Sequence, residues 1–304
     1  MGNPDARTSL LGLAVGDAFG TMLDRVGADL PQQVAKRLIS PHRPWRWTDD
    51  TAMALSIVEV LEQHAAIDTD ALAAAFARRF AEEPGRGYGA GAYRLLSRLG
   101  MGAAWREEAT RMFGGKGSYG NGAAMRAAPI GAFFAPDLER VRVEALRSAE
   151  PTHAHPEGAA GAVAVAIAAA LAHTHAVSRD AMLGEVARWT PPGQTRDRLL
   201  RAEQLGLAFD VQLAGEELGT GANITSQDTV PFAIWAAARH LDSYEEALWT
   251  ATGLPGVDLA SDTMAIFSVD RDTVGAIVGG IVACATGVEG IPVLWREACE
   301  QLPL

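Results

Sequence analysis

The sequence predicts an all-α protein of one compact domain, and three observations support this. Apolar residues recur at helical spacing along most of the 304 residues, and no useful length alternates as a half-buried strand does. Alanine and glycine are abundant while aromatic residues make up only 7%, which favours closely packed helices over a β-sandwich. Long linkers, low-complexity tails and fixed-period repeats are absent from the sequence, which favours one compact domain over residues 1–304.

Helical periodicity places twelve helices along the chain, with bounds uncertain by a few residues. In order they cover about residues 5–22, 49–64, 68–83, 121–134, 137–149, 156–175, 178–188, 195–207, 228–239, 242–252, 272–286 and 292–301. The most apolar stretch, 158–173, is too short and too alanine-rich to span a bilayer comfortably. We therefore expect a buried core helix there and no membrane partner.

Charge and cysteine content exclude several classes of protein. The net charge of −11 and the presence of only two lysines, Lys36 and Lys116, argue against a nucleic-acid-binding surface. Cys284 and Cys299 have no C-x-x-C spacing, so neither a disulfide framework nor a cysteine zinc site is expected. The first residues show no basic region ahead of a long apolar run. These features predict a cytoplasmic protein.

Two adjacent acids open one predicted helix in "RWTDDTAMALSIVEVL" (46–61). Thr48 is a suitable N-cap, and Asp49 and Asp50 in the first turn would be stabilised by the helix dipole. That explanation suffices for an isolated T-D-D-T sequence. A second possibility is that the paired carboxylates bind a cation, which would remove their mutual repulsion.

A matching cluster opens a later helix in "VDRDTVGAIVGGIVACATG" (269–287), where Asp270 and Asp272 are followed by Thr273. All the candidate ligands of both clusters are hard oxygens without a nearby histidine or cysteine, which suits Mg²⁺ or Mn²⁺ and suits zinc poorly. Small residues in both helices would let their N-termini approach closely. The pair of clusters therefore predicts a binuclear metal site.

A glycine-dense segment, "FGGKGSYGNG" (113–122), precedes a predicted helix. It is either a flexible loop or a device that presents backbone N–H groups to an anion such as a diphosphate. It lacks the G-x-x-x-x-G-K-[ST] pattern of a Walker A loop.

Six ordered motifs give the chain a resemblance to the ADP-ribosylglycohydrolase family along nearly its whole length. They are "GLAVGDAFG" (12–20), "WTDDTAMA" (47–54), "GKGSYGNGAAMRAAPIG" (115–131), "THAHPEG" (152–158), "SQDTVPFAIW" (226–235) and "DRDTVGAIVGGI" (270–281). The resemblance implies an all-α orthogonal helical bundle around a cleft with two Mg²⁺ ions. The glycine loop looks most like the branch that cleaves serine-linked ADP-ribose, poly(ADP-ribose) and O-acetyl-ADP-ribose.

The resemblance also implies the metal ligands, which would be Thr48, Asp49, Asp50, Asp270, Asp272 and Thr273. One departure is that Ser268 and Val269 stand where family members commonly have Gly-Gly. Alternative ligands precede the motif at Asp258, Asp262 and Thr263. We prefer the later set because the small-residue helix that follows it is expected to pack on the helix that follows Asp50.

Substrate contacts are implied in the same way. The residues expected to contact the diphosphate and ribose are Gly117, Ser118, Tyr119, Asn121 and Gly122. Phe113 matches a position that stacks on adenine, its alternative being a core aromatic. His153 matches a residue that lines the ADP-ribose cleft, and H-x-H zinc binding with His155 is disfavoured because no further ligand lies nearby.

An acid on a mobile loop over the cleft is expected from the family pattern, and Asp24 occupies that position where Glu is common. We predict that Asp24 acts on the attacking water or leaving group, the alternative being an exposed loop acid near Arg25. Asp17 is expected to support the loops through hydrogen bonds rather than to bind metal.

The sequence thus predicts a magnesium-dependent ADP-ribosyl hydrolase that cleaves the glycosidic bond between ADP-ribose and a protein side chain or small acceptor. Two alternatives stay open: an inactive ADP-ribose-binding or crystallin-like structural relative, and a metal hydrolase of another ribosylated metabolite. The acceptor linkage and the oligomeric state are not encoded in these motifs.

Overall fold

The computed structural model describes residues 3–26, 29–254 and 269–303. Regular secondary structure in these ranges is helical, and strand-like pairing is limited to isolated bridges such as Gly221 with Val269. The helices are α1 (Pro4–Asp24), α2 (Leu30–Ala35), α3 (Asp49–His64), α4 (Thr69–Glu82), α5 (Ala90–Gly100), α6 (Trp105–Gly115), α7 (Ala128–Phe134), α8 (Leu138–Ala149), α9 (Pro156–Thr174), α10 (Arg179–Trp189), α11 (Gln194–Leu205), α12 (Val211–Leu218), α13 (Ser226–Arg239), α14 (Tyr244–Thr252), α15 (Arg271–Gly290) and α16 (Val293–Ala298). The all-α prediction is confirmed.

Four helices, α2, α5, α6 and α12, were not predicted. They are short and lie at the surface, so each buries only a few side chains: α2 buries Leu30 alone and α5 buries Leu95 and Leu96. Segments of 6–11 residues show the helical period over only a few turns, although in α5 Leu95, Leu96 and Leu99 do recur at helical spacing.

The predicted continuous helix 121–134 is wrong. The chain forms a single 3₁₀ turn at Asn121–Ala123, and α7 begins only at Ala128. Pro129 stands in the first turn of α7. Because proline lacks a backbone N–H, it starts a helix readily and cannot continue one from the preceding turn.

Helices α1 and α15 lie against each other with their backbones in direct contact. A Cβ atom on Gly16 would lie 2.1 Å from the carbonyl oxygen of Gly275, and one on Gly279 would lie 2.3 Å from that of Gly12. Only glycine permits this approach. The expectation that α15 packs mainly on α3 is corrected, because α1 is its principal neighbour and α3 touches it only locally.

Helices α9 and α15 are long and apolar enough to cross a membrane by length and composition alone. Most of their residues are nevertheless buried against other helices of the protein. Helix α9 occupies the centre of the core, where Ala160 and residues 162–172 are buried.

Candidate active site

Helix α1 holds the first acidic motif through the buried carboxylate of Asp17. Its oxygens accept hydrogen bonds from the backbone N–H of Thr48 at 2.9 Å and from the backbone N–H of Thr51 at 3.2 Å. The hydroxyl of Thr51 donates to the same carboxylate at 2.6 Å. Thr48 in turn is the N-cap of α3 and donates its hydroxyl to Asp50 at 2.8 Å. These bonds fix the start of α3 relative to α1.

Helix α1 also contacts the second acidic motif, about one turn after Asp17. A Cβ atom on Gly20 would lie 2.1 Å from the carbonyl oxygen of Arg271, the first residue of α15. The guanidinium of Arg271 is buried and donates to the carbonyl oxygens of Thr252 at 2.9 Å and Leu254 at 2.7 Å. The start of α15 is therefore anchored on both sides.

Both motifs open on one cleft of about 450 Å³, a volume typical of small-molecule sites. Eleven of the predicted site residues line it: Asp49, Asp50, Phe113, Ser118, Tyr119, Asn121, Gly122, His153, Asp270, Asp272 and Thr273. A larger hollow of about 830 Å³ lies apart from them, next to Arg25 and Trp45. The motifs, rather than the volume, identify the candidate site.

Three predicted site residues do not line the cleft. Thr48 stands directly behind it as the cap of α3. Gly117 shapes the glycine loop, since its φ is +75° and a Cβ there would lie 2.6 Å from the backbone nitrogen of His155. Asp24, expected on a loop over the cleft, is instead the last residue of α1, where it accepts a hydrogen bond from Arg271 at 3.0 Å.

The alternative ligands of the second motif, Asp258, Asp262 and Thr263, lie outside the described residues, as does Ser268 of the segment directly before the motif.

The acidic residues of the cleft share an unfavourable electrostatic environment. Burial and the nearby Asp272 raise the pKa of Asp49 to about 7. Burial and repulsion by neighbouring carboxylates, Asp17 first for Asp50 and Asp272 for Asp270, raise the pKa of both groups well above the usual range. These groups are costly to ionise as they stand.

Two further features of the possible metal ligands, in the described residues, are their hydrogen bonding and their spacing. One carboxylate oxygen of Asp50, Oδ1, is buried without a hydrogen-bond partner among the described residues. No group of three or more His, Cys, Asp or Glu side chains in those ranges already has metal-site spacing.

The glycine loop reaches the second acidic motif through Asn121. The amide nitrogen of Asn121 donates to Asp270 at 2.7 Å and to the hydroxyl of Thr229 at 3.0 Å. The loop is also tied to α13, because the hydroxyl of Ser226 donates to the carbonyl oxygen of Gly120 at 3.0 Å. Ser226 therefore supports the loop.

Two aromatic side chains stand at the rim of the cleft. Phe113 is 57% exposed and Tyr119 is 39% exposed, with ring centroids 5.9 Å apart. Phe113 is therefore not a core aromatic, which removes the alternative explanation. Phe113 lies at the kink near the end of α6, and its φ of +51° is uncommon for a residue with a side chain. This backbone conformation sets the direction of its ring.

Several residues of the cleft wall were not predicted from the sequence, and among them are Arg126 and Thr152. Arg126 is fully buried, lies over the ring of Phe76 at 4.4 Å and donates to Thr152 at 2.8 Å. The available signal was an arginine within the apolar run "AAMRAAPIG", because a charged group in such a run needs buried partners.

Comparisons with known proteins agree with this architecture. Residues 4–303 match the family model of ADP-ribosylglycohydrolase. The chain is 31% identical to mouse ADP-ribosylhydrolase ARH3 over 280 residues, covering 84% of this chain and 73% of that protein. It is 33% identical over 309 residues to an uncharacterized protein of Archaeoglobus fulgidus, covering 97% and 91%.

A solved structure titled ADP-ribosylglycohydrolase-related protein complex shares the fold, with a TM-score of 0.65 at 24% identity, covering 98% of this chain and 93% of that one. Together the fold, the cleft and these relatives define a hydrolase that acts on ADP-ribosylated substrates. The chain belongs to the ADP-ribosylglycohydrolase family, as its motifs predicted.

Proposed function

We propose that the chain is a magnesium-dependent ADP-ribosyl hydrolase that cleaves the glycosidic bond between ADP-ribose and a protein side chain or small acceptor. The observation that carries this proposal is the bond between Asn121 and Asp270, at 2.7 Å. This bond joins the glycine loop, which is of a type that binds anions, to the acidic cluster within one cleft. A ligand with a diphosphate and a ribose diol requires these two features side by side.

Two Mg²⁺ ions, or Mn²⁺, fit the donor set of this cleft. The donors would be the oxygens of Thr48, Asp49, Asp50, Asp270, Asp272 and Thr273, which suit small hard cations. The unpartnered Oδ1 of Asp50 is free to bind a cation. A bound cation would also offset the mutual repulsion of the acids. When bound, such ions supply Lewis acidity toward ribose hydroxyls and water.

The chain itself binds and orients the substrate. Backbone N–H groups of the glycine loop would receive the diphosphate without an arginine cluster. Asn121 keeps its amide nitrogen turned toward Asp270, because both of its N–H donors are used inside the protein. Its carbonyl oxygen is thereby left to accept a ribose hydroxyl. The exposed rings of Phe113 and Tyr119 offer flat surfaces for adenine.

Asp24 is the carboxylate that we assign to proton transfer with the attacking water or the leaving group. Burial raises its pKa to about 6, and the neighbouring Arg271 opposes that rise. A carboxyl group that titrates near neutral pH is suited to acid–base catalysis. Its side chain is 42% exposed, and the charge of Asp272, which lines the cleft, also acts on it.

A linkage panel tests the proposal. Peptides ADP-ribosylated on serine or on arginine, together with O-acetyl-ADP-ribose, are incubated with the protein in Mg²⁺ and in EDTA. We expect release of ADP-ribose from at least one substrate in Mg²⁺ only. We further expect Asp49→Asn and Asp272→Asn to abolish it. Absence of release from every linkage, with metal bound, would contradict the proposed activity.

One observation favours a second candidate, a protein that binds ADP-ribose without hydrolysing it. Asp24 does not line the cleft and is paired with Arg271 at 3.0 Å. Calorimetry with ADP-ribose alongside the linkage panel separates the candidates, because binding without turnover would support the second one.

Several expectations remain proposals beside this function. We propose a single domain over residues 1–304, a cytoplasmic location and no nucleic-acid or membrane partner. The charge of −11 and the small number of lysines support the exclusion of nucleic acid.

A further inference from the structure

Three side chains form a hydrogen-bonded chain in the wall of the cleft. Arg126 donates from Nη2 to Oγ1 of Thr152 at 2.8 Å and to the carbonyl oxygen of Ser148 at 3.0 Å. Oγ1 of Thr152 lies 2.7 Å from Nδ1 of His153. Arg126 and Thr152 are both buried, so water does not compete for these bonds.

The number of protons on each group determines which atom donates in the bond between Thr152 and His153. Arginine has no acceptor atom, so Thr152 must accept from Arg126. The hydroxyl proton of Thr152 then has two possible acceptors, Nδ1 of His153 at 2.7 Å and the carbonyl oxygen of Ala149 at 3.5 Å. The shorter distance lies at the optimum for a hydroxyl donor, whereas the longer one is at the limit. Nδ1 of His153 therefore accepts, and it carries no proton.

The second ring nitrogen of His153, Nε2, faces the glycine loop. A Cβ atom on Gly122 would lie 3.0 Å from Cε1 and 3.2 Å from Nε2 of this ring. On the other side, a Cβ atom on Gly158 would lie 3.0 Å from Cβ of His153. The imidazole is thus held between two glycines and cannot turn freely. His153 also lines the cleft.

The ring is uncharged in this setting. Burial and the positive charge of Arg126 lower the pKa of His153 to about 3. A neutral imidazole carries one proton, and Nδ1 does not hold it. The proton must then be on Nε2, which makes this atom a donor beside Gly120 and Gly122, two glycines that line the cleft.

We propose that Arg126 and Thr152 are positioning residues that lock His153 as the neutral Nε2–H tautomer, so that it donates a hydrogen bond to an anionic oxygen of the bound ligand. The identity of that oxygen, a diphosphate oxygen of ADP-ribose, rests on the proposed function. A neutral donor is bound to its partner equally well across the physiological pH range. A protonated, positively charged His153 is unfavourable at this position, because the positive charge of Arg126 lies next to the ring.

Nuclear magnetic resonance of the ligand-free protein tests the tautomer directly. The protein is labelled with ¹⁵N-histidine, and His153 is assigned among the seven histidines by the loss of its signals in His153→Gln. We expect a protonated Nε2 and an unprotonated Nδ1 at pH 7. A proton on Nδ1, or equal populations of the two forms, would overturn the proposal without any assay of activity.

Two variants of Thr152 test its part. Thr152→Val keeps the shape but removes the hydroxyl, so we expect mixed tautomers and a roughly three- to tenfold higher Kd for ADP-ribose. Thr152→Ser restores the hydroxyl, so both the single Nε2–H tautomer and the wild-type Kd for ADP-ribose should return. An unchanged tautomer in Thr152→Val would contradict the assignment. Circular dichroism confirms folding, and if Thr152→Val does not fold, the wild-type spectrum and Thr152→Ser still decide.

A titration with ADP-ribose separates this inference from the proposed function. Saturation with the ligand should shift the Nε2 proton resonance of His153. Saturable binding that leaves this resonance unchanged would refute the donor role. Absence of any ADP-ribose binding, with the Nε2–H tautomer present, would refute the proposed function and leave the hydrogen-bonded chain intact.

Discussion

Thr51 donates both its backbone N–H and its hydroxyl to one carboxylate oxygen of Asp17, at 3.2 and 2.6 Å. Asp17 belongs to α1 and Thr51 to α3, so this contact ties two helices at the first acidic motif. Three residues after Asp17, Gly20 rests on the carbonyl oxygen of Arg271 in the second motif. A single helix therefore sets the distance between the two groups of carboxylates.

Gly16→Ala should separate α1 from α15 and reduce both stability and activity. The added Cβ would lie 2.1 Å from the carbonyl oxygen of Gly275, a backbone atom that cannot rotate away. We expect a loss of about 1–3 kcal/mol in the free energy of unfolding, measured by denaturant titration. Gly100→Ala is the matched control, because nothing lies within 4 Å of its Cβ position. Equal stability of the two variants would contradict the close helix contact.

Asn121→Asp should impair activity while keeping the size of the side chain. It replaces a donor that lies 2.7 Å from Asp270 with a second carboxylate. We expect a roughly 10- to 100-fold lower kcat/KM, measured with the best substrate of the linkage panel. Asn223→Asp is the control, since Asn223 lines the same cleft but is exposed. A loss of the same size in the control would show that added negative charge alone is responsible.

Magnesium should stabilise the protein more at pH 8 than at pH 6.5. The pKa values of Asp17 and Asp49 are raised to about 7, mainly by burial, so the folded state binds more protons than the unfolded state below that value. This stabilisation is complete below about pH 4 and is lost as the pH rises through 7. His153 acts oppositely, because its lowered pKa of about 3 costs stability only as the pH falls below about 6.5.

In EDTA we therefore expect Tm to fall between pH 6.5 and pH 8. In Mg²⁺ the fall should be smaller or absent, since cation binding requires ionised carboxylates and favours the folded state. Asp49→Asn should lose the response to Mg²⁺. The same change of Tm with pH in EDTA and in Mg²⁺ would contradict a cation site among these acids.

Asp24→Asn should lower kcat by about 100-fold or more while leaving the Kd for ADP-ribose nearly unchanged. The amide can still pair with Arg271 but cannot transfer a proton. Asp24→Glu, which extends the reach by one methylene, should keep measurable activity. Asp29→Asn serves as the control, because Asp29 is another exposed acid of the same region. Full activity in Asp24→Asn would remove Asp24 from the mechanism.

Local features of the site were accessible from the sequence. The cap at Thr48, with Asp49 and Asp50 in the first turn, depends on neighbouring residues only, and α3 begins at Asp49 as predicted. The long apolar α9 was also evident, because its run of apolar residues extends over many positions. Information of this kind is contained in spacing along the chain.

Tertiary relationships were harder to derive. The four-residue spacing of Gly12, Gly16 and Gly20 predicts a close helix contact but does not say which helix is the partner, and α15 was assigned to α3 instead. The pairing of Asp24 with Arg271 joins residues 247 positions apart. No local pattern encodes such a contact, because it depends on how α1 and α15 cross.

Anomalous diffraction from crystals grown with Mn²⁺ measures the central claim most directly. We expect two anomalous peaks in the cleft, each within coordination distance of oxygens from both Asp49–Asp50 and Asp270–Thr273. We also expect both peaks to be lost in Asp272→Asn. A cleft without a peak at saturating Mn²⁺, or peaks that touch neither acidic motif, would contradict it.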